Sequence, residues 1–317
     1  MVRVGSTRSP KKLIINADDF GISRGVNIGI IEAAEAGVVT SASMIVNLPS
    51  FADALDRVVS RASPLPSLSL GIHLNLTLGR PLTDAPSLTR SKTDDFYALP
   101  ALVARASLGR LDGAELLREC QAQIDRMIEA GFPPTHLDSH RHIHIHPAIF
   151  PAVSTAAASR GISRVRVLCE PLGFDAREWR AALKKAGLLF CARLSGVTSA
   201  YGGADRFVGI SLHGGKSFAS RLFALIPRLP AGTTELMVHP GYADASLAEQ
   251  DSYIAERETE LRVLCSREFR DLLDRCGVRL TSFAGGDRPS IVSHESQLAQ
   301  HYQPDDRERN RESQLRR

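Results

Sequence analysis

Between residues 136 and 146 the chain reads His136-Leu-Asp138-Ser-His140-Arg-His142-Ile-His144-Ile-His146, with an imidazole or a carboxylate at every second position. In an extended strand, alternate side chains share one face. Six such groups on one face do not suit an apolar core, where every buried polar group needs a partner. They do suit a metal site or an acid–base site, because imidazole ligates metals and titrates near neutrality. The last three histidines, His142, His144 and His146, are expected past the strand end on a surface loop, either solvated or lining a cleft.

Three further segments carry ionisable groups where an apolar run stops: Asn16-Ala-Asp18-Asp19, Gly71-Ile-His73-Leu-Asn75 and Val238-His239-Pro240. In parallel α/β folds, catalytic groups collect at the carboxyl ends of strands. One carboxylate with two imidazoles makes a facial ligand set that leaves coordination positions open for water and substrate. Two adjacent aspartates can divide the labour, one on the metal and one taking a proton from water. Alternation would send Asp18 and Asp19 to opposite faces, so the strand end must break that rule if both serve. Taken singly, each segment has a plainer reading. Asp18-Asp19 before Gly21 suits a turn or helix cap, and His73 suits a hydrogen-bonded core histidine. Their coincidence at four strand ends carries the argument.

The elements that would position these groups alternate along the chain. Strands are predicted at 13–17, 41–46, 68–74, 135–140, 164–168, 207–212, 235–239 and 278–282. Helices are predicted at 24–36, 51–62, 114–130, 148–159, 178–186, 219–226 and 254–275, with Ser50 capping the second. Strict alternation of strand and helix implies a parallel sheet with helical crossovers. About eight strands imply a (β/α) barrel, with an open doubly wound sheet as the alternative. The domain plan is a flexible lead at 1–11, one barrel domain at 12–285, and a disordered, highly charged tail at 286–317.

Composition narrows the classes. Of 317 residues, 43% are hydrophobic and 23% charged, which allows a core of ordinary size. The net charge of +4 gathers partly near the start of the chain (Arg3, Arg8, Lys11, Lys12) and is no nucleic-acid footprint. The five cysteines are scattered, which fits reduced thiols in the cytoplasm. No run approaches the ~20 apolar residues needed to span a bilayer, and the first residues lack the apolar stretch of a secretory signal. A homodimer is the default assembly.

Together, Asn16-Ala-Asp-Asp-Phe-Gly21, Gly71-Ile-His73-Leu-Asn-Leu-Thr, Thr135-His-Leu-Asp-Ser-His140 and Val238-His239-Pro240 resemble the YdjC-like carbohydrate deacetylases, in order, from about residue 12 to about residue 285. The resemblance implies a distorted (β/α) barrel of mainly parallel strands and metal-dependent removal of an N-acetyl group from an amino sugar. By that likeness Asp19, His73 and His140 are the metal ligands, Asp18 is the general base and His239 the general acid. The resemblance implies one divalent ion and leans to magnesium, whereas two imidazoles lean to zinc. Arg166 and Tyr201 are candidates for gripping the sugar, by forked hydrogen bonds and by stacking; the plainer readings are an internal salt bridge and packing. The Gly-rich segment 188–216 matches the family only loosely. Two rival classes remain at this level. One is a metal hydrolase such as a phosphoesterase, which a second metal on Asp138, His142 or His144 would favour. The other is a non-catalytic metal- or sugar-binding relative.

Overall fold

A computed structural model describes residues 9–60, 68–170, 179–197, 203–213 and 217–285, with the backbone alone for 179–185. Seven parallel strands run through it: β1 (Lys11–Phe20), β2 (Ser41–Met44), β3 (Ser69–Leu74), β4 (Leu137–Ser139), β5 (Arg206–Val208), β6 (Gly232–Val238) and β7 (Val278–Leu280). The helices are α1 (Arg24–Glu35), α2 (Phe51–Val59), α3 (Leu99–Ser107), α4 (Gly113–Glu129), α5 (Phe150–Ser159), α6 (Trp179–Ser195), α7 (Phe218–Leu225), α8 (Ala245–Gln250), α9 (Ala255–Leu264) and α10 (Arg267–Arg275). The sheet order is β4-β3-β2-β1-β6-β5, with β7 also paired to β1. Because β6 takes one side of β1 over Lys11–Ala17, β7 shares the other side with β2, β7 at Lys11–Leu13 and β2 from Asn16 onward.

The sheet curls as a barrel wall. In a flat sheet, strands about 4.8 Å apart would leave β4 and β6 some 19 Å from each other. Yet Val165 bridges to Leu137 of β4, and its neighbour Arg166 places Nε 2.8 Å from Glu235 Oε1 on β6. One side chain spans that gap only if the sheet curls round towards its own far edge. This is the mainly parallel, distorted barrel wall that the family resemblance implied.

Apolar strand residues such as Leu13, Ile15, Ala17, Met44, Ile72, Leu137, Leu236 and Val238 are buried, as are the apolar residues Val26, Ile30, Ile31 and Ala34 of α1. Several elements differ from expectation; α3 and α8 were not predicted, and the strand expected at 207–212 is the shorter β5. The helix expected over 254–275 breaks at Ser266, whose extended backbone and hydroxyl cap start α10 by accepting from the Phe269 N–H at 3.2 Å. The strand expected at 164–168 shrinks to the single bridge at Val165. Ser50 makes no side-chain cap; its carbonyl instead accepts from Asn27 Nδ2 at 3.0 Å. The expected lead and tail lie mostly or wholly outside the described residues. Among those described, no helix is long and apolar enough to cross a membrane.

Candidate active site

The site starts with a break in β1. Between Ala17 and Phe20 the strand advances three residues while β2 advances two, from Ala42 to Met44. This extra residue is a β-bulge at the two aspartates, and Asp19 adopts a left-handed backbone (φ 66°). The bulge lets neighbours that would face apart reach one site. Gly21 completes the turn: its φ is +100°, and a Cβ there would stand 2.4 Å from the Ile45 carbonyl oxygen.

Asp19, His73 and His140 come together as expected, all buried, with their candidate ligand atoms within 4.8 Å of one another. Asp19 Oδ1 lies 2.8 Å from His140 Nδ1 and 3.2 Å from His73 Nε2. On its other nitrogen, His73 Nδ1 is 2.7 Å from Asp138 Oδ1. A carboxylate behind a ligating imidazole fixes its orientation and raises its basicity. Burial alone would lower the His73 pKa, but the charges and hydrogen bonds of Asp138, Asp19 and Asp18 outweigh it and hold the ring at about 10. Burial alone would raise Asp19, but His140 and Arg257 hold it well below the usual carboxylate range. Three donors of mixed type, already facing one another, fit a divalent metal.

Asp18 stands beside this group. Both of its oxygens are 2.6 Å from the Arg166 guanidinium, and Asn16 Nδ2 donates to it at 2.8 Å. Burial pushes its pKa up, and repulsion from Asp138 adds to that against the pull of Arg166. A carboxylate held in place yet with raised proton affinity is equipped to act as a base.

Arg166 does not extend toward a ligand, as a sugar-gripping role would require. It is 3% exposed, and Asp18, Asp138 and Glu235 engage its guanidinium. The salt-bridge reading of this residue is the one the geometry matches. The same arginine occupies the second cluster of potential ligands, Asp18, His73 and Asp138, where a guanidinium already provides the positive charge. Asp138 also accepts from Ser43 at 2.8 Å, and His144 is bonded to Ser139 Oγ and the Arg166 carbonyl. The second-metal arrangement that would favour a phosphoesterase thus finds two of its candidate donors already engaged. Tyr201 lies outside the described residues.

His239 follows β6 and precedes Pro240. Its backbone N–H donates to Glu260 Oε2 at 2.6 Å, and its ring sits edge-on to His213 (centroids 5.0 Å apart) and Tyr253 (5.5 Å). Burial, reinforced by His213, drives its imidazole pKa well below the ordinary value, and it senses the charges of Asp19 and Arg257. Glu260, pushed up to about 7 by burial, also accepts from the Tyr253 hydroxyl.

His136 lies one layer beneath the site, stacked on Phe283 at 4.0 Å and bonded to Asn16, Ser43 and Thr135. Gly71 makes room for it, since a Cβ there would meet the ring at 2.4 Å. Past β4, residues His140–Ile145 form a 3₁₀ turn in which Arg141 and His142 are left-handed. His144 is tucked inside this turn and His146 is largely buried just after it, instead of both standing in solvent on a loop. The reading from residue types missed Asp138 as the partner of His73, along with Arg257, Glu260 and Glu235. Asp138 had a signal in its place in the alternating run; the other three sit at unremarked helix and strand positions.

Fold and site together define a class: a parallel α/β barrel wall whose strand ends bring a buried aspartate and two imidazoles together. Residues 12–275 match the family model described as YdjC-like protein, and the chain belongs to the YdjC-like family. It is 35% identical over 275 residues to the carbohydrate deacetylase of Geobacillus stearothermophilus, covering 86% of this chain and 97% of that relative. It is 36% identical over 274 residues to the chitooligosaccharide deacetylase of Citrobacter koseri, covering 86% and 97%. A crystal structure from Enterococcus faecalis, provisionally assigned to cellobiose-phosphate cleavage, superposes with a TM-score of 0.68 at 26% identity over 87% of this chain and 98% of that one. The four motifs therefore identified the family correctly.

Proposed function

We propose that this protein is a metal-dependent N-deacetylase of an amino sugar, either a chitooligosaccharide or another glycan or glycolipid carrying an N-acetylglucosaminyl-type unit. The observation that carries the reading is the convergence of Asp19, His73 and His140, with Asp18 held beside them and His239 on the next strand end. Carbohydrate-deacetylase relatives that align with most of the chain support it. Asp19, His73 and His140 would hold one divalent ion, with family likeness favouring Mg²⁺ and the two imidazoles favouring Zn²⁺. When bound, such an ion polarises the acyl oxygen and acidifies water.

The chain's own residues supply the proton traffic. Arg166 keeps Asp18 in one orientation, and Asp18 accepts the proton of the attacking water. His239 delivers a proton to the departing nitrogen. Burial holds its imidazole well below the ordinary value, so His239 takes a proton from solvent before the C–N bond breaks and gives it to the departing nitrogen, while the proton that Asp18 removed from water returns to solvent and resets the carboxylate. Asp138 holds His73, so that one ring nitrogen remains turned toward Asp19. Cytoplasmic residence and homodimeric assembly complete the proposal: the five cysteines are unpaired, and a two-fold dimer is the commonest closed assembly.

Acetate release from diacetylchitobiose, measured with chelator and after restoring magnesium or zinc, tests the reading. Acetate that disappears with chelation and returns with metal is the expected result. Undiminished release in chelator would overturn the metal's part. No release from any N-acetylated sugar, with metal bound, would overturn the deacetylase assignment.

A further inference from the structure

Arg257 lies on α9 and is fully buried. Its Nη2 donates to Asp19 Oδ2 at 2.7 Å and to Asp251 Oδ2 at 2.7 Å, and its Nε donates to the Tyr253 carbonyl at 2.8 Å. Its Nη1 is buried without a hydrogen-bond partner. A buried guanidinium with an orphaned nitrogen is a costly way to fasten a helix, because desolvation is repaid only when the remaining donors are satisfied. What this arginine does achieve is to fix Asp19. That residue stands in a left-handed backbone conformation, which persists only where the surrounding structure holds it. With Oδ2 clamped by Arg257, Oδ1 is the oxygen left facing His73 and His140.

We infer that Arg257 is a positioning residue for the metal site: it presents Asp19 as a ligand through one oxygen, and Asp251 anchors it in that task from the end of α8. The inference rests on the metal-holding part of the proposal above and does not depend on the substrate. Asp251 is the less buried partner, its side chain 14% exposed. Its Oδ1 accepts from the Ser252 N–H at 2.8 Å, a bond that asparagine can keep. Asp251→Asn therefore loosens the arginine while preserving the local turn.

The test is calorimetric titration of the full chain with Mg²⁺ and, separately, Zn²⁺, alongside thermal melting, for wild type, Arg257→Met, Arg257→Lys and Asp251→Asn. Arg257→Met should weaken metal binding about 10- to 100-fold, the usual cost of removing a partner that orients a ligand. Arg257→Lys should fall between it and wild type, since an ammonium keeps the charge and loses the fork. Asp251→Asn should weaken binding on the order of a few-fold with little change in melting. Wild-type metal affinity in Arg257→Lys and Asp251→Asn would overturn the inference, as would a wild type that binds neither metal; a Met variant that merely fails to fold leaves these two to decide. Metal binding by wild type without acetate release would sink the deacetylase reading and leave the Arg257 result standing.

Discussion

Two halves of one histidine run, 136–140 and 142–146, share an alternating composition and meet different fates. The first half lies on and beside β4, where a period of two holds. There Asp138 and His140 enter the site, with His136 stacked beneath it on Phe283. In the second half the chain turns through left-handed Arg141 and His142, and each ring finds its own surroundings. His144 is bonded to Ser139 Oγ at 2.6 Å and to the Arg166 carbonyl at 3.1 Å. His146 is bonded to Ser107 Oγ at 3.2 Å and accepts from the Ala148 N–H. Polar alternation therefore marks a site only as far as the strand itself extends. Beyond it, His144 and His146 serve to satisfy the backbone and hydroxyls of a tight turn, while His142 keeps Nδ1 buried without a hydrogen-bond partner.

The comparison breaks if the halves respond alike to substitution. The largest effect belongs to the first half: His140→Ala should remove metal binding and lower kcat/KM by about a thousandfold or more, given the several kcal/mol a metal contributes to charge stabilisation. Calorimetry and acetate release check it, and metal binding at wild-type affinity would remove His140 from the ligand set. His239→Ala should keep the metal and lower kcat about 10²- to 10⁴-fold, as expected of a lost proton donor. If it loses metal affinity as well, its role is coordination instead.

In the second half, His144→Gln should lower stability by about 1–3 kcal/mol through imperfectly satisfied Ser139 and Arg166 groups, with metal affinity unchanged. It should also alter the acid limb of stability. Burial chiefly holds His144 down at about 4 and His136 at about 3, while the unfolded rings titrate near 6.5. The unfolded chain thus binds more protons below about pH 6.5, so stability is present above that value and is lost as pH falls through the folded pKa values. His144→Gln should flatten this limb between about pH 6.5 and 4; an identical slope in denaturant titrations would show that His144 does not contribute. The smallest effect is expected from His146→Ala, about 1 kcal/mol, because it loses two long, part-buried hydrogen bonds and no site contact. A drop in metal affinity there would extend the site into the second half.

Much of the candidate site could be read from residue types, whereas the assignment of metal ligands came from the family resemblance. Asp19, His73, His140 and His239 each stand where an apolar run ends, and apolar runs announce strands because burial demands them. The alternation of strand and helix likewise implied a parallel sheet, since parallel strands require crossovers, and the strand count pointed to a barrel with an open sheet as the alternative. The partners of these groups were less legible. Arg166 suited a ligand grip as readily as a salt bridge, and only the curl that brings the β4 edge to Glu235 decided between them. Arg257 sits in a helix whose sequence shows nothing unusual, yet it meets Asp19 across 238 residues.

The sequence by itself determined most of the order of strands and helices, the family, and which side chains could bind a metal or move a proton. These follow from local periodicity and from the chemistry of each residue type. Tertiary structure alone decided which charges face one another: the bulge that turns Asp18 and Asp19 into one site, the arginines that hold each of them, and the turn that withdraws His144 and His146. Those outcomes depend on strand curvature and on contacts between distant segments, where burial makes an unpaired charge too costly to leave and so selects the partner.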